Sequence, residues 1–125
     1  MATLEDVRRI ALSLPETVEV DELRFQVRKK SFCWERPLRP RDVADLEQLG
    51  QRIPTGELLG VRVPSDEKEE LLASVEAFFT IPHFDGFPAV LLELARVDAD
   101  ELTEIVTDAW LVQAPKRLAK EFLAN

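Results

Sequence analysis

The spacing of the apolar residues changes several times along this chain, and no other feature of the sequence constrains the fold as strongly. Segments with apolar residues every three or four positions alternate with short segments in which every second residue is apolar. The first spacing predicts a helix with one apolar face, and the second predicts a strand with one buried side. The order of the segments predicts an α+β domain, in which helices pack on one face of a mostly antiparallel sheet of about four or more strands. The other face of the sheet is left partly open.

Residues that cap helices mark where the predicted helices begin. Thr3 is followed three residues later by Asp6, and Asp98 by Glu101, which resembles the capping box that satisfies free N–H groups at a helix start. The longest apolar stripe follows Asp98 and includes Trp110, so that indole is expected in the core. The predicted helices run from Leu4 to Leu14, over 42–49, from Pro64 to Leu72, from Asp98 onward and from Pro115 onward.

Four segments are predicted to be strands, three from alternation and "AVLLEL" because it is apolar enough to lie centrally in the sheet. "LRFQV" and "SFCWE" are predicted to form a tight hairpin that turns near Lys29 and Lys30. Simple alternation places Phe32 and Trp34 on the same side of the second strand, which favours burial of both. "LLGVRV" and "AVLLEL" are the third and fourth predicted strands.

Length and composition limit the class of protein. The chain has 125 residues, 46% of them hydrophobic, which is enough for one core and predicts a single domain over residues 1–125. Its one cysteine, Cys33, cannot form an internal disulfide and suits a reducing compartment. The chain has no apolar run near the roughly 20 residues that span a bilayer, and its first residues lack the order of a signal peptide. We therefore expect a cytoplasmic protein that does not bind membranes.

Several segments together resemble the MmcQ/YjbR family over nearly the whole chain. They are "ALSLPE", "FQVRKKSF", "LGVRV", "FFTIPHFDGFPAVLLEL" and "DAWLVQAPKRLAKEFL". The resemblance implies a compact fold of the CyaY-like type and a DNA-binding role, the label commonly given to members. It supplies no agreed catalytic residues. The hairpin turn of this family typically reads glycine-lysine, where this chain has Lys29 and Lys30. Since a two-residue turn requires positive φ, a lysine there is expected to cost about 1 kcal/mol.

The segment from Arg24 to Arg41 has a charge opposite to that of the rest of the chain. The whole protein carries a formal charge of -8, yet this segment holds seven bases and one acid. Cationic side chains in strands and loops can contact successive phosphates without any sequence motif. The candidate nucleic-acid-binding residues are Arg24, Arg28, Lys29, Lys30, Arg36, Arg39 and Arg41, with Lys116 and Arg117 as accessory candidates.

Other interpretations of this basic segment stay open. Its side chains could be solvated or paired with the surplus acids of the same molecule. An acidic protein segment or an anionic small molecule would suit the same charge, and the overall -8 opposes strong nonspecific DNA binding. We predict a nucleic-acid-binding module without catalytic activity, with an interaction or small anionic-ligand domain as the alternative.

The segment "PHFDGFPAV" contains the only histidine, His83. Asp85 and Gly86 predict a turn beside it, and the aromatic residues predict a loop anchored in the core, with His83 hydrogen-bonded to backbone. Cys33 could lie near His83, but their spacing does not require it. A zinc site of a common type would need more histidines or cysteines. No catalytic site, metal or cofactor is therefore expected.

Overall fold

The computed structural model describes all 125 residues and contains five α-helices and a six-stranded sheet. The helices are α1 (Leu4–Ser13), α2 (Pro40–Gln48), α3 (Lys68–Ser74), α4 (Ala99–Gln113) and α5 (Lys116–Ala124). The strands are β1 (Thr17–Val20), β2 (Arg24–Val27), β3 (Lys30–Glu35), β4 (Leu58–Arg62), β5 (Phe78–Phe79) and β6 (Ala89–Glu93), with 3₁₀ turns at Pro82–Phe84 and Leu94–Arg96. The predicted α+β class with an antiparallel sheet is confirmed.

The strands are arranged in the order β1-β2-β3-β4-β6-β5, and every neighbouring pair is antiparallel. The two edge strands, β1 and β5, were not expected from the sequence. β1 has four residues and β5 has two, which is too short for an alternation of apolar and polar residues to be recognised. None of the helices combines the length and the apolar character needed to cross a membrane.

The main core lies on the face of the sheet that carries α1 and α4, called here the helix face. Both predicted capping boxes are present, at Thr3 with Asp6 and at Asp98 with Glu101. Trp110 is fully buried in this core, and its indole N–H donates to the carbonyl of Pro15 at 3.1 Å. Residues of α3 and α5 also pack against this core.

A β-bulge in β3 changes which side chains face the helices. Phe25 pairs with Cys33 and Gln26 with Ser31, so Phe32 is an extra residue between them. Phe32 and Cys33 are consecutive, yet both are fully buried in the helix-face core. Trp34 therefore faces the other way, and the expectation that it shares a side with Phe32 is wrong. The pattern of apolar and polar residues in the sequence cannot show whether a strand contains such an inserted residue.

The opposite side of the sheet, called here the open face, is only partly covered. A second apolar cluster packs there around α2 and the 3₁₀ turn Pro82–Phe84, and consists of Trp34, Leu46, Ile81, Phe84, Ala89 and Leu91. Arg24 and Gln26 of β2 lie beyond this cluster and are half-buried. The uncovered part of the open face is therefore its β2–β3 side, which is where the basic segment begins.

The hairpin turn is one residue earlier than expected. Val27 pairs with Lys30, so the two turn residues are Arg28 and Lys29, with φ of 49° and 70°. Lys30 is the first residue of β3. Two non-glycine residues thus occupy the left-handed region that favours glycine in such turns.

Candidate anion-binding site

A cavity of about 870 Å³ opens on the open face and is lined mainly by cationic and aromatic side chains. Glu35 is the one acidic residue of its lining. The cationic lining residues are Arg24, Lys30, Arg36, Arg39 and Arg62, accompanied by His83 and by the aromatic residues Trp34, Phe84 and Phe87. In a protein with a net charge of -8, this cavity concentrates positive charge. It is called the basic cavity below.

Trp34 forms a platform for Arg24. The indole lies directly on Gly60, its cross-strand partner, because a Cβ atom there would come within 2.6 Å of the ring. The guanidinium carbon of Arg24 stands 5.3 Å from the centroid of the Trp34 ring. Nη1 of Arg24 donates to the hydroxyl of Ser31 at 3.1 Å, its one hydrogen bond within the protein. Stacking on an aromatic ring fixes a guanidinium while leaving its edge free to donate.

Arg36 is the most deeply placed cation of the basic cavity. Its side chain is 6% exposed and forms a salt bridge with Asp42, Nη1 to Oδ2, at 3.0 Å. Burial acts to raise the pKa of Asp42, but the backbone N–H of Arg39 and the Arg36 guanidinium outweigh it and hold that pKa below its ordinary value. The second terminal nitrogen of Arg36, Nη2, is buried and has no acceptor within the protein. An unsatisfied buried donor is costly, and because this nitrogen is closed to solvent it can meet an added acceptor only if the surrounding side chains move.

Arg62 completes the cationic lining from β4. Its Nε donates to the carbonyl of Pro88 at 3.1 Å, and its guanidinium carbon lies 4.9 Å from the centroid of the Phe87 ring. Burial lowers the pKa of Arg62, although an arginine stays charged at neutral pH. Arg62 was missed as a candidate, because it lies outside the basic segment. The sequence does contain a signal for Arg62. In "LGVRV" it is a charged residue on the side of the strand opposite Val61 and Val63.

The aromatic wall is held by a lysine of α3. Nζ of Lys68 donates to the carbonyls of Phe84 and Phe87, at 2.6 and 2.8 Å. Burial lowers the pKa of Lys68, and the nearby Asp85 opposes part of that effect. Two hydrogen bonds from one ammonium group therefore fix the loop that carries both rings.

The loop is anchored as expected, since Phe84 is buried, but His83 is exposed at the cavity and makes no hydrogen bond with the backbone. That part of the expectation for His83 is wrong. Cys33 points into the helix-face core, on the other side of the sheet from His83. The two residues therefore do not form a catalytic pair.

The structure brings four of the seven predicted residues of the basic segment together and separates the others. Arg24, Lys30, Arg36 and Arg39 line the basic cavity. The remaining three are Arg28, which is paired with Glu16, Arg41, whose Nε lies 3.4 Å from Oδ1 of Asp45, and Lys29, which is exposed at the hairpin turn. The accessory candidates Lys116 and Arg117 are exposed at the start of α5, outside the cavity lining.

The residue types in the basic cavity are suited to binding anions. The fold contains no group of three or more His, Cys, Asp or Glu side chains that could hold a metal ion. Cys33 is fully buried, and burial raises the pKa of its thiol, which keeps it in the unreactive protonated form. Guanidinium groups with free N–H donors recognise carboxylates and phosphates.

Comparison with known proteins gives a family and several relatives. The family described as YjbR matches residues 12–112 of the chain. The uncharacterized protein Rv2570 of Mycobacterium tuberculosis is 46% identical over 127 aligned positions, which cover all of this chain and 98% of that protein. The uncharacterized protein Mb2600 of Mycobacterium bovis is similar to the same extent, 46% over 100% and 98% of the two chains. No solved structure matches the chain.

Proposed function

The chain belongs to the YjbR family, and we propose that it is a non-catalytic binding module that holds an anionic ligand in the basic cavity. The observation that carries the proposal is the convergence of five cationic side chains on one cavity that has a single acidic residue in its lining. A volume of about 870 Å³ lies within the range of roughly 300–1,000 Å³ that encloses small ligands.

Three further features support an anion as the occupant. Arg24, Lys30 and Arg39 form no salt bridge within the protein, although the chain has 24 acidic residues available. Arg62 likewise forms no salt bridge, and its terminal nitrogens have no acceptor within the protein. The stacking contacts of Arg24 and Arg62 hold two guanidinium groups in place before any ligand arrives, which lowers the entropy cost of binding.

The proposal assigns no reaction, metal or cofactor to this cavity, and it places the protein in the cytoplasm. The first part is supported by the hydrogen bonds of the lining. Ser31, Glu35 and His83 all line the cavity, but His83 makes no hydrogen bond with either of the others, so the three do not form a linked triad. The second follows from the unpaired Cys33, which suits a reducing compartment.

Nucleic acid is a second candidate ligand, favoured by the position of Lys29. This residue is exposed and forms no salt bridge, and it adjoins Lys30 of the cavity lining at the tip of the hairpin. Together the two lysines extend the positive charge beyond the cavity, along the direction that a phosphate backbone could follow. A DNA strand would then place one phosphate in the basic cavity and the next near the turn.

Isothermal titration calorimetry with tripolyphosphate, from low to moderate salt, tests the main proposal. One molecule is expected to bind per chain, with an affinity that falls as salt increases. Absence of binding at the lowest salt would contradict it.

A 12-nucleotide single strand and a 12-base-pair duplex, titrated into the wild type and into Lys29→Gln, test the second candidate. Nucleic-acid binding predicts weaker DNA affinity for the variant and unchanged tripolyphosphate affinity.

A further inference from the structure

The arginines on the two sides of the basic cavity are held in similar ways. Each guanidinium is stacked on an aromatic ring, Arg24 on Trp34 and Arg62 on Phe87. Each gives one N–H to a protein oxygen, that of Ser31 or Pro88. Both terminal nitrogens of Arg62, and Nε and Nη2 of Arg24, are left without a protein acceptor. Two forked donors are therefore preorganised.

The positions of the two arginines in the sheet fix the distance between them. Arg24 pairs with Trp34, which pairs with Gly60, and Arg62 follows two residues later on β4. Strand spacing and rise per residue put the two Cα atoms roughly 12 Å apart on the same face. Because both side chains line the basic cavity from these positions, we expect a group held between them to meet both guanidinium groups.

A phosphoryl group matches this arrangement better than a carboxylate. A phosphate monoester carries about -1.5 to -2 charge and three terminal oxygens at neutral pH. A carboxylate has one charge and two oxygens, which one guanidinium fork already occupies. The basic cavity offers the forked donors of Arg24 and Arg62 and the ammonium group of Lys30. This number of donors and charges fits a phosphate with several oxygens.

The wall beside these cations is aromatic and partly uncovered. Phe87 is 38% exposed, although it belongs to a tight cluster in which its centroid lies 5.7 Å from that of Phe84 and 6.4 Å from that of Trp34. Lys68 fixes the backbone of this loop. A rigid, partly exposed aromatic ring next to a phosphate site is a surface on which a planar ring can stack.

Resting on the proposed function, we propose that the ligand of the basic cavity is a mononucleotide. Its phosphate lies between Arg24 and Arg62, and its base stacks on Phe87. The phosphate contributes charge that the arginines and Lys30 neutralise, and the base contributes the apolar contact that a sugar phosphate lacks.

Calorimetry at low salt with AMP, GMP, CMP, UMP and ribose 5-phosphate tests this inference. At least one nucleotide is expected to bind about tenfold or more tightly than ribose 5-phosphate, the size of effect typical of base stacking. Phe87→Ala should weaken nucleotide binding more than ribose 5-phosphate binding, which falls only by the share that Phe87 contributes in holding Arg62. Arg62→Gln should weaken both, and Arg62→Lys should not restore them fully, because an ammonium group lacks the fork.

The alternative outcomes separate this inference from the proposed function. Equal affinity for the nucleotides and ribose 5-phosphate, or an equal effect of Phe87→Ala on both, would overturn the mononucleotide assignment. If all five phosphates fail while tripolyphosphate binds, the mononucleotide is wrong and the anion-binding proposal stands. If tripolyphosphate fails as well, both proposals fall.

Discussion

The indole of Trp34 rests on the bare backbone of Gly60, and this contact positions one wall of the basic cavity. The nearest ring atom would be 2.6 Å from a Cβ at position 60, closer than real Cβ contacts come. The Trp34 side chain is almost fully buried and supports the guanidinium of Arg24 on its other side. The absence of a side chain at Gly60 therefore determines where an arginine of the site can lie.

Replacing Gly60 with alanine is expected to push the indole off the sheet. The clash involves a rigid ring, so we expect a loss of about 1–3 kcal/mol in the free energy of unfolding, as for other overpacked sites. Urea denaturation measures it. Gly60→Ala combined with Trp34→Leu is the control, because the smaller side chain removes the clash. The double variant should lose less than the sum of the single losses. A Gly60→Ala protein of unchanged stability would contradict the contact.

Removing the carboxylate of Asp42 should strongly destabilise the protein. Asp42→Ala leaves Arg36 buried without a counter-charge, which typically costs about 3–5 kcal/mol. The matched control is Asp45→Ala on the same helix, since its pair with the exposed Arg41 should be worth less than about 1 kcal/mol. Urea denaturation at pH 7 compares the two. Similar losses for both variants would contradict the assignment of a buried ion pair.

The stability of the wild type should fall in acid partly because of the same carboxylate. The folded protein holds the pKa of Asp42 below its ordinary value. Because the pKa of Asp42 is lower in the folded state, its ionised carboxylate gives its full stabilisation above the unfolded-state pKa, about 3.9. That stabilisation is lost as the pH falls through the folded-state pKa. The stability difference between the wild type and Asp42→Asn should therefore shrink below about pH 4. A difference that stays constant from pH 7 to pH 3 would show that ionisation of Asp42 has no part in stability.

The hairpin turn offers a stabilising substitution. Lys29 has a φ of 70°, a conformation that costs a side-chain-bearing residue roughly 1 kcal/mol and costs glycine little. Lys29→Gly should therefore raise the free energy of unfolding by about 1 kcal/mol. Lys30→Gly removes the same charge from a strand position and should lower it. Thermal denaturation distinguishes them, and a destabilised Lys29→Gly would mean that the turn has another geometry.

The thiol of Cys33 should report unfolding. It is fully buried, and burial raises its pKa, so the native protein should not react with Ellman's reagent at pH 8. One equivalent should react in denaturant, and the rate at intermediate urea should follow the fraction unfolded. Fast reaction of the native protein would contradict the placement of Cys33 in the helix-face core.

The sequence was sufficient to predict the helices and most of the strands of the sheet. The capping residues Thr3 and Asp98 and the stripe around Trp110 depend only on local spacing, and each is confirmed. The exceptions are the short edge strands β1 and β5 and the bulge at Phe32. One inserted residue reverses the side on which Trp34 lies, and strand pairing rather than sequence determines whether such a residue exists.

The candidate site was predicted only in part, because it is assembled across strands. The basic segment correctly includes Arg24 and Arg36, but charge counting could not separate them from Arg28 and Arg41, whose acidic partners lie outside the cavity. Arg62 comes from another strand altogether. Which cationic side chains share a cavity depends on how the strands and helices pack together. The amino-acid composition carries no information about that packing.

The central claim is that the cations of the basic cavity, rather than the basic segment as a whole, bind the anion. Tripolyphosphate calorimetry on two matched double variants tests it most directly. Arg24→Gln with Arg39→Gln removes two cavity cations, and Arg28→Gln with Arg41→Gln removes two from the same segment outside the cavity. The first pair should weaken tripolyphosphate binding about tenfold or more, and the second should change it little. Equal losses in both, or a larger loss in the second, would contradict it.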